Sequence, residues 1–179
     1  VLAGADEFRL TSGSFQPDLS GSARGGVSAN PRDPLCSACF GPLNTDARHR
    51  VTLGAQYQAP LGINVSGIFR YRSALPINIH AGRDLNGDGF TSDLVPGTRV
   101  NSGRGASFSQ LDLRLSREFT FARLNVELIG EVFNVFNATN EAGFIGDRTS
   151  AKFHQATTFA GDPLQPDNRL GQLGLRIRL

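Results

Sequence analysis

The sequence predicts an all-β fold, an antiparallel meander of about five or six long strands joined alternately by short turns and long loops. Three observations carry this reading. Apolar residues recur with a period of two rather than 3.6, the mark of strands instead of helices. The periodic stretches run about nine to twelve residues, longer than the five or six usual in globular sheets. Short connections alternate with long ones along the chain, so one end of the sheet gathers tight turns and the other gathers loops.

Each element follows from its residues. Thr11 to Pro34 is dominated by Gly, Ser, Asn, Asp and Pro, so residues 1–48 read as a loop-rich segment with strand character only at Phe8 to Leu10. The β-segment occupies residues 49–179. Residues 50–58, RVTLGAQYQ, set Val51, Leu53, Ala55 and Tyr57 against Arg50, Thr52, Gln56 and Gln58. Pro60-Leu61-Gly62 makes a tight turn, and residues 63–72, INVSGIFRYR, alternate again, which completes a hairpin. A long loop covers roughly residues 80–107. Residues 109–117, SQLDLRLSR, put Leu111, Leu113 and Leu115 opposite Asp112, Arg114 and Ser116. A short connection through Thr120 to Arg123 leads into LNVELIGEVFNVF, and a second long loop covers about 138–167. The last stretch, QLGLRIRL, sets Leu173, Leu175, Ile177 and Leu179 against Gln172, Arg176 and Arg178.

One face of every strand is thus apolar and the other carries Arg, Glu, Asp, Gln and Asn. In a soluble sandwich the apolar face is the core; in a membrane barrel it meets lipid and the polar face lines a wet lumen. Period two is shared by both. Strand length and the short-turn, long-loop asymmetry favour the barrel. Five or six strands leave two open edges, and unpaired backbone groups in hydrocarbon cost several kcal/mol each. The sheet is therefore expected to be part of a larger transmembrane β-barrel or of an edge-to-edge assembly of copies.

Composition narrows the function. The formal net charge is +2, which argues against nucleic acid as a partner on charge alone. No apolar run approaches the length of a membrane helix. The three histidines, His49, His80 and His154, show no metal-ligand spacing, and no G-x-S-x-G elbow is present. An enzyme is not expected.

Two stretches carry chemistry. Residues 84–93, DLNGDGFTSD, match the front of a calcium loop, D-x-[DN]-x-[DN]-G, with Asp84, Asn86, Asp88 and Gly89 in place. Phe90 offers a carbonyl and Ser92 the next ligand position; Val95 stands where the bidentate carboxylate belongs, so Asp93 is the substitute. The loop is read as a weak Ca²⁺ site built from Asp84, Asn86, Asp88, Phe90, Ser92 and Asp93, beside the plainer reading of a polar turn. Cys36-Ser37-Ala38-Cys39 lies among Pro31, Pro34, Gly41 and Pro42. With no second C-x-x-C and no βαβ pattern around it, a local Cys36–Cys39 disulfide in an oxidising compartment is expected ahead of free thiols or redox work.

Five stretches in order, DARHRVTLGAQYQAPLG (46–62), DLNGDGFTSDLVPGTRVNSGRG (84–105), LDLRLSREF (111–119), EVFNVFNATN (131–140) and RLGQLGLRIRL (169–179), resemble the C-terminal end of a TonB-dependent outer-membrane receptor. The resemblance is to the Oar-like group, which carries a carboxypeptidase-regulatory-like domain at its N-terminus, and it covers about residues 44–179. It implies a 22-stranded barrel with a plug, in the bacterial outer membrane, importing a scarce solute with energy from a TonB-type coupling protein. The family's usual terminal Phe is Leu179 here. The partners it implies are outer-membrane lipid and the coupling protein. The alternative is a self-assembling extracellular β-filament whose subunits pair edge to edge at the cell surface.

Overall fold

The computed structural model describes residues 9–10, 37–87, 89–122, 124–160 and 168–178. Five long strands form one sheet: β1 (Arg50–Ala59), β2 (Ile63–Arg72), β3 (Phe108–Phe121), β4 (Leu124–Phe133) and β5 (Leu170–Arg178). Their order is β5-β4-β3-β2-β1 and every neighbouring pair is antiparallel. This is the expected up-and-down meander, with β1 and β5 at the edges of the sheet.

The turns follow from local chemistry. Between β1 and β2, Pro60 opens a single turn in which Leu61 (φ 66°) and Gly62 (φ 72°) both take the left-handed region; glycine adopts it without the Cβ penalty that leucine accepts. β3 is longer than the nine residues read as a strand from sequence. Phe108 pairs with Arg72, and Glu118 to Phe121 pair with Glu127 to Leu124. The extension obeys the same alternation, Phe119 and Phe121 on the apolar side, Glu118 and Thr120 on the polar side. β4 stops at Phe133, three residues short of the periodic run. There Asn134 turns to φ 50° and its side chain bonds both the N–H and the carbonyl of Ala138, closing a turn at 2.9–3.1 Å.

Register gathers most apolar positions on one face, with Ile68, Phe108, Ile129 and Phe133 on the polar one. Across the sheet Leu53, Phe69 and Leu111 align, as do Tyr57, Val65, Leu115, Gly130 and Leu173. That face is open. Leu53 is 61% exposed, Leu115 52%, Leu128 50% and Leu173 93%.

Apart from Ser116 on β3, the buried residues lie elsewhere. The described residues of loop 73–107, residues 134–160 and residues 37–49 pack together beyond one end of the sheet. Short antiparallel pairs join Pro76–Ile77 to Gly103–Arg104, Glu141–Phe144 to Ala156–Phe159, and Arg9–Leu10 to Phe40–Gly41. His80 bridges Leu94 on one side and Asp147 on the other, tying the two long loops together. Val100, Leu94 and Cys39 are the buried apolar side chains of this layer, joined by buried Asn78, Asp93, Asn101 and Asn140. Backbones approach closely here: a Cβ on Gly146 would sit 1.9 Å from the Asn78 carbonyl oxygen, and one on Gly41 would sit 1.8 Å from that of Val100.

Candidate functional site

On the polar face, ion pairs join each neighbouring pair of strands from β2 to β5. Arg70 bonds Asp112 at 2.5 Å. Arg114 reaches Glu131 at 3.3 Å and Glu127 at 3.6 Å, and Arg176 reaches Glu127 at 3.1 Å. Gln172 donates to Glu131. Glu127 faces Glu118 directly across the β3–β4 pair; the two flanking guanidiniums offset that like-charge contact. Arg72, on the same face, makes no such pair among the described residues. Its guanidinium lies 5.7 Å from the centre of the Phe108 ring, and its Nε is buried without a hydrogen-bond partner.

Asp112 joins this wall to the loop layer. Its Oδ1 accepts from Gln110 Nε2 at 2.8 Å and from the Asn134 backbone N–H at 3.0 Å. The asparagines of NVFNATN do the same on the loop side. Asn137 Oδ1 accepts the Arg169 N–H, and Asn140 Oδ1 accepts the Ser109 N–H. All three asparagines have positive φ, a conformation their side chains tolerate. The wall-side partner of Asn134 is the Asp112 carboxylate, twenty-two residues earlier in the chain.

In the calcium-like stretch the structure brings Asp84, Asn86 and Asp93 together. Asp84 accepts the backbone N–H groups of Asn86, Gly87 and Gly89 at 3.2, 2.7 and 2.9 Å. Buried Asp93 accepts those of Leu85 and Asn86, and the Asn86 amide Nδ2 at 2.9 Å. Gly87 and Gly89 supply the positive φ that the tight loop needs. The Ser92 carbonyl faces His80 Nδ1 at 2.6 Å, and Phe90 is exposed. Asp88 lies outside the described residues. Among the described residues no three His, Cys, Asp or Glu side chains converge. Asp84 Oδ1 and Asp93 Oδ2 each take two backbone N–H groups, so much of the acceptor capacity of both carboxylates is spent on the loop's own backbone.

Cys39 ends a single 3-10 turn (Ser37–Cys39) and is buried; no free thiol occurs among the described residues. Cys36 lies outside them. His154 Nε2 sits 2.9 Å from the Arg104 carbonyl, and Arg104 pairs with Asp46 at 3.0 Å, so both work within the loop layer. Hydrogen bonds from the Thr149 hydroxyl and N–H hold the Asp147 carboxyl below its ordinary value, aided by His80. A cavity of about 570 Å³ opens between the two long loops and the end of the sheet, lined by Arg72, His80, Asn78, Glu141, Phe144 and Asp147 among others. Sequence periodicity held no signal for it, because loops from distant parts of the chain build it. No protein-family model, curated protein or solved structure matches this chain.

Proposed function

We propose that this chain is a section of the wall of a transmembrane β-barrel in the bacterial outer membrane, of the TonB-dependent receptor type. In this reading β1–β5 span the bilayer, the apolar face meets lipid, the charged ladder faces a wet lumen, and the loop layer caps the extracellular side of a solute-import path. The observation that carries it is the inversion of burial. The broad apolar face of the sheet is exposed while the compact core lies in the loops, the distribution expected when hydrocarbon is the solvent of that face. The charged ladder is cross-linked by Arg–carboxylate pairs, as a wet interior permits.

The open edges bear on the alternative, a filament of copies paired edge to edge. With five strands, β1 and β5 run in the same direction. Copies joined head to tail would meet in a parallel seam. Copies related by a two-fold axis normal to the sheet would meet antiparallel but present their loops at opposite ends. An all-antiparallel barrel with every long loop on one side instead needs an odd number of further strands between β5 and β1. This favours completion by other strands over self-assembly. Replacement of Leu113 or Leu175 by Arg tests the orientation: an Arg near the midplane of a lipid-facing strand costs about 2–4 kcal/mol, so both variants should fail to assemble in the membrane while Gln56→Arg on the polar face assembles normally. Equal tolerance on both faces defeats the reading.

The 84–93 loop serves in this account as a weak Ca²⁺ clamp of the extracellular layer, with Asp84, Asn86, Asp88 and Asp93 as ligands and affinity on the order of 10⁻⁴–10⁻³ M. Calorimetry at millimolar calcium should show binding that Asp88→Ala removes; identical heats in both proteins leave only a polar turn. The Cys36–Cys39 bridge shapes the loop before Phe40, and alkylation of both thiols without prior reduction would refute it.

A further inference from the structure

We propose that Arg117 binds the phosphate of a phospholipid headgroup and thereby fixes the depth of the wall on the side of the short turns. The inference rests on the apolar face being lipid-facing. Among the described strands Arg117 is the one charged side chain on that face: the register puts it in line with Ile63 on β2 and Leu128 on β4. It is exposed, and no carboxylate pairs with it among the described residues. Three arginines of the polar face, by contrast, are engaged with acids.

The direction of the side chain decides what it can reach. Its guanidinium carbon lies 4.7 Å from the centre of the Phe119 ring, two residues nearer the short turn. Phe119 in turn stacks on Phe121, with centroids 6.4 Å apart and planes 17° from parallel. The arginine therefore leans along the strand, over an aromatic pair, toward the turn end of the sheet. Long cationic side chains on lipid-facing surfaces bury their stems and carry the charge to the interface. Aromatic rings collect at that same level: Phe121 is 63% exposed and Tyr57, near the other short turn, 65%. The anion waiting at the hydrocarbon boundary is the phosphodiester of the lipid. A planar guanidinium meets it with paired hydrogen bonds, and the Phe119 face stabilises the cation beside it.

The test uses the intact protein in vesicles and then in detergent, with phosphatidylglycerol as the probe. Native mass spectrometry reads the phospholipid molecules retained. Arg117→Gln should reduce retained phosphatidylglycerol about five-fold, the change expected for one basic group at an anionic lipid surface. Arg117→Lys should keep most of it, and Arg178→Gln, on the polar face, should change nothing. Undiminished retention in a membrane-inserted Arg117→Gln protein overturns the anchor and leaves the wall reading standing. A wild-type protein that does not co-sediment with vesicles overturns both.

Discussion

Removing the Asp112 carboxylate should detach the loop layer from the wall. Asp112 sits on β3 and gathers Arg70, Gln110 and the backbone N–H of Asn134. In Asp112→Ala the Asn134 N–H loses its acceptor in a place where Asn134 itself is only 3% exposed; an orphaned buried donor costs about 1–3 kcal/mol. The ion pair adds little, because the Arg70 side chain is 48% exposed and half-exposed pairs contribute about 0–1 kcal/mol. The expected loss is about 2–3 kcal/mol. Asp112→Asn retains an oxygen for the Asn134 N–H and should lose about 1 kcal/mol, and Arg70→Ala should lose less than about 1 kcal/mol. Guanidinium unfolding of the intact protein in phospholipid vesicles measures all three. If Asp112→Ala loses no more than Arg70→Ala, the Asn134 N–H is not held by this carboxylate and the proposed junction is wrong.

Gly146→Ala places a methyl 1.9 Å from a backbone oxygen, a clash no rotamer relieves; it should cost about 3 kcal/mol or more, read as lost amide protection throughout residues 134–160 with β1 to β3 intact. For Asp147 the folded value lies below the ordinary Asp value of about 3.9, so its carboxylate stabilises the loop layer at pH above that value, and the contribution disappears as pH falls through the lower folded one. Thr149→Val, which deletes the hydroxyl donor, should raise the Asp147 titration toward the ordinary value by NMR; an unchanged titration would show that the hydroxyl does not set it.

The sheet was legible because each long strand repeats one physical rule. Alternation in RVTLGAQYQ and INVSGIFRYR, with Pro60 and Gly62 between them, specifies a hairpin and its faces together. The end of β3 was harder to read, because Arg117 interrupts the apolar set after Leu111, Leu113 and Leu115 just where the strand continues. A charged residue that leans onto Phe119 satisfies the face without matching its polarity. The end of β4 was misjudged for the opposite reason: Phe136 continues the apolar run, yet Asn134 has already turned the chain, and Phe136 packs edge-on against Phe69 at 6.4 Å. The loop layer was the least legible part. Its core rests on contacts between Val100 and Gly41, or Asn78 and Asn101, which join positions far apart in the chain and leave no local period. The burial of Asp93 against Asn86 came from the fold and had no local signal in the sequence.

The central claim is that hydrocarbon covers the apolar face. It is tested most directly by single cysteines carrying an environment-sensitive fluorophore, introduced at Leu53, Leu115 and Leu175 on one face and at Gln56, Ser66 and Gln172 on the other, in the intact protein reconstituted into vesicles. Brominated acyl chains should quench the first three and leave the second three unquenched, while aqueous iodide should quench only the second three. Quenching of Leu53, Leu115 and Leu175 by iodide, with no effect of bromolipid, would contradict the account and place that face against water.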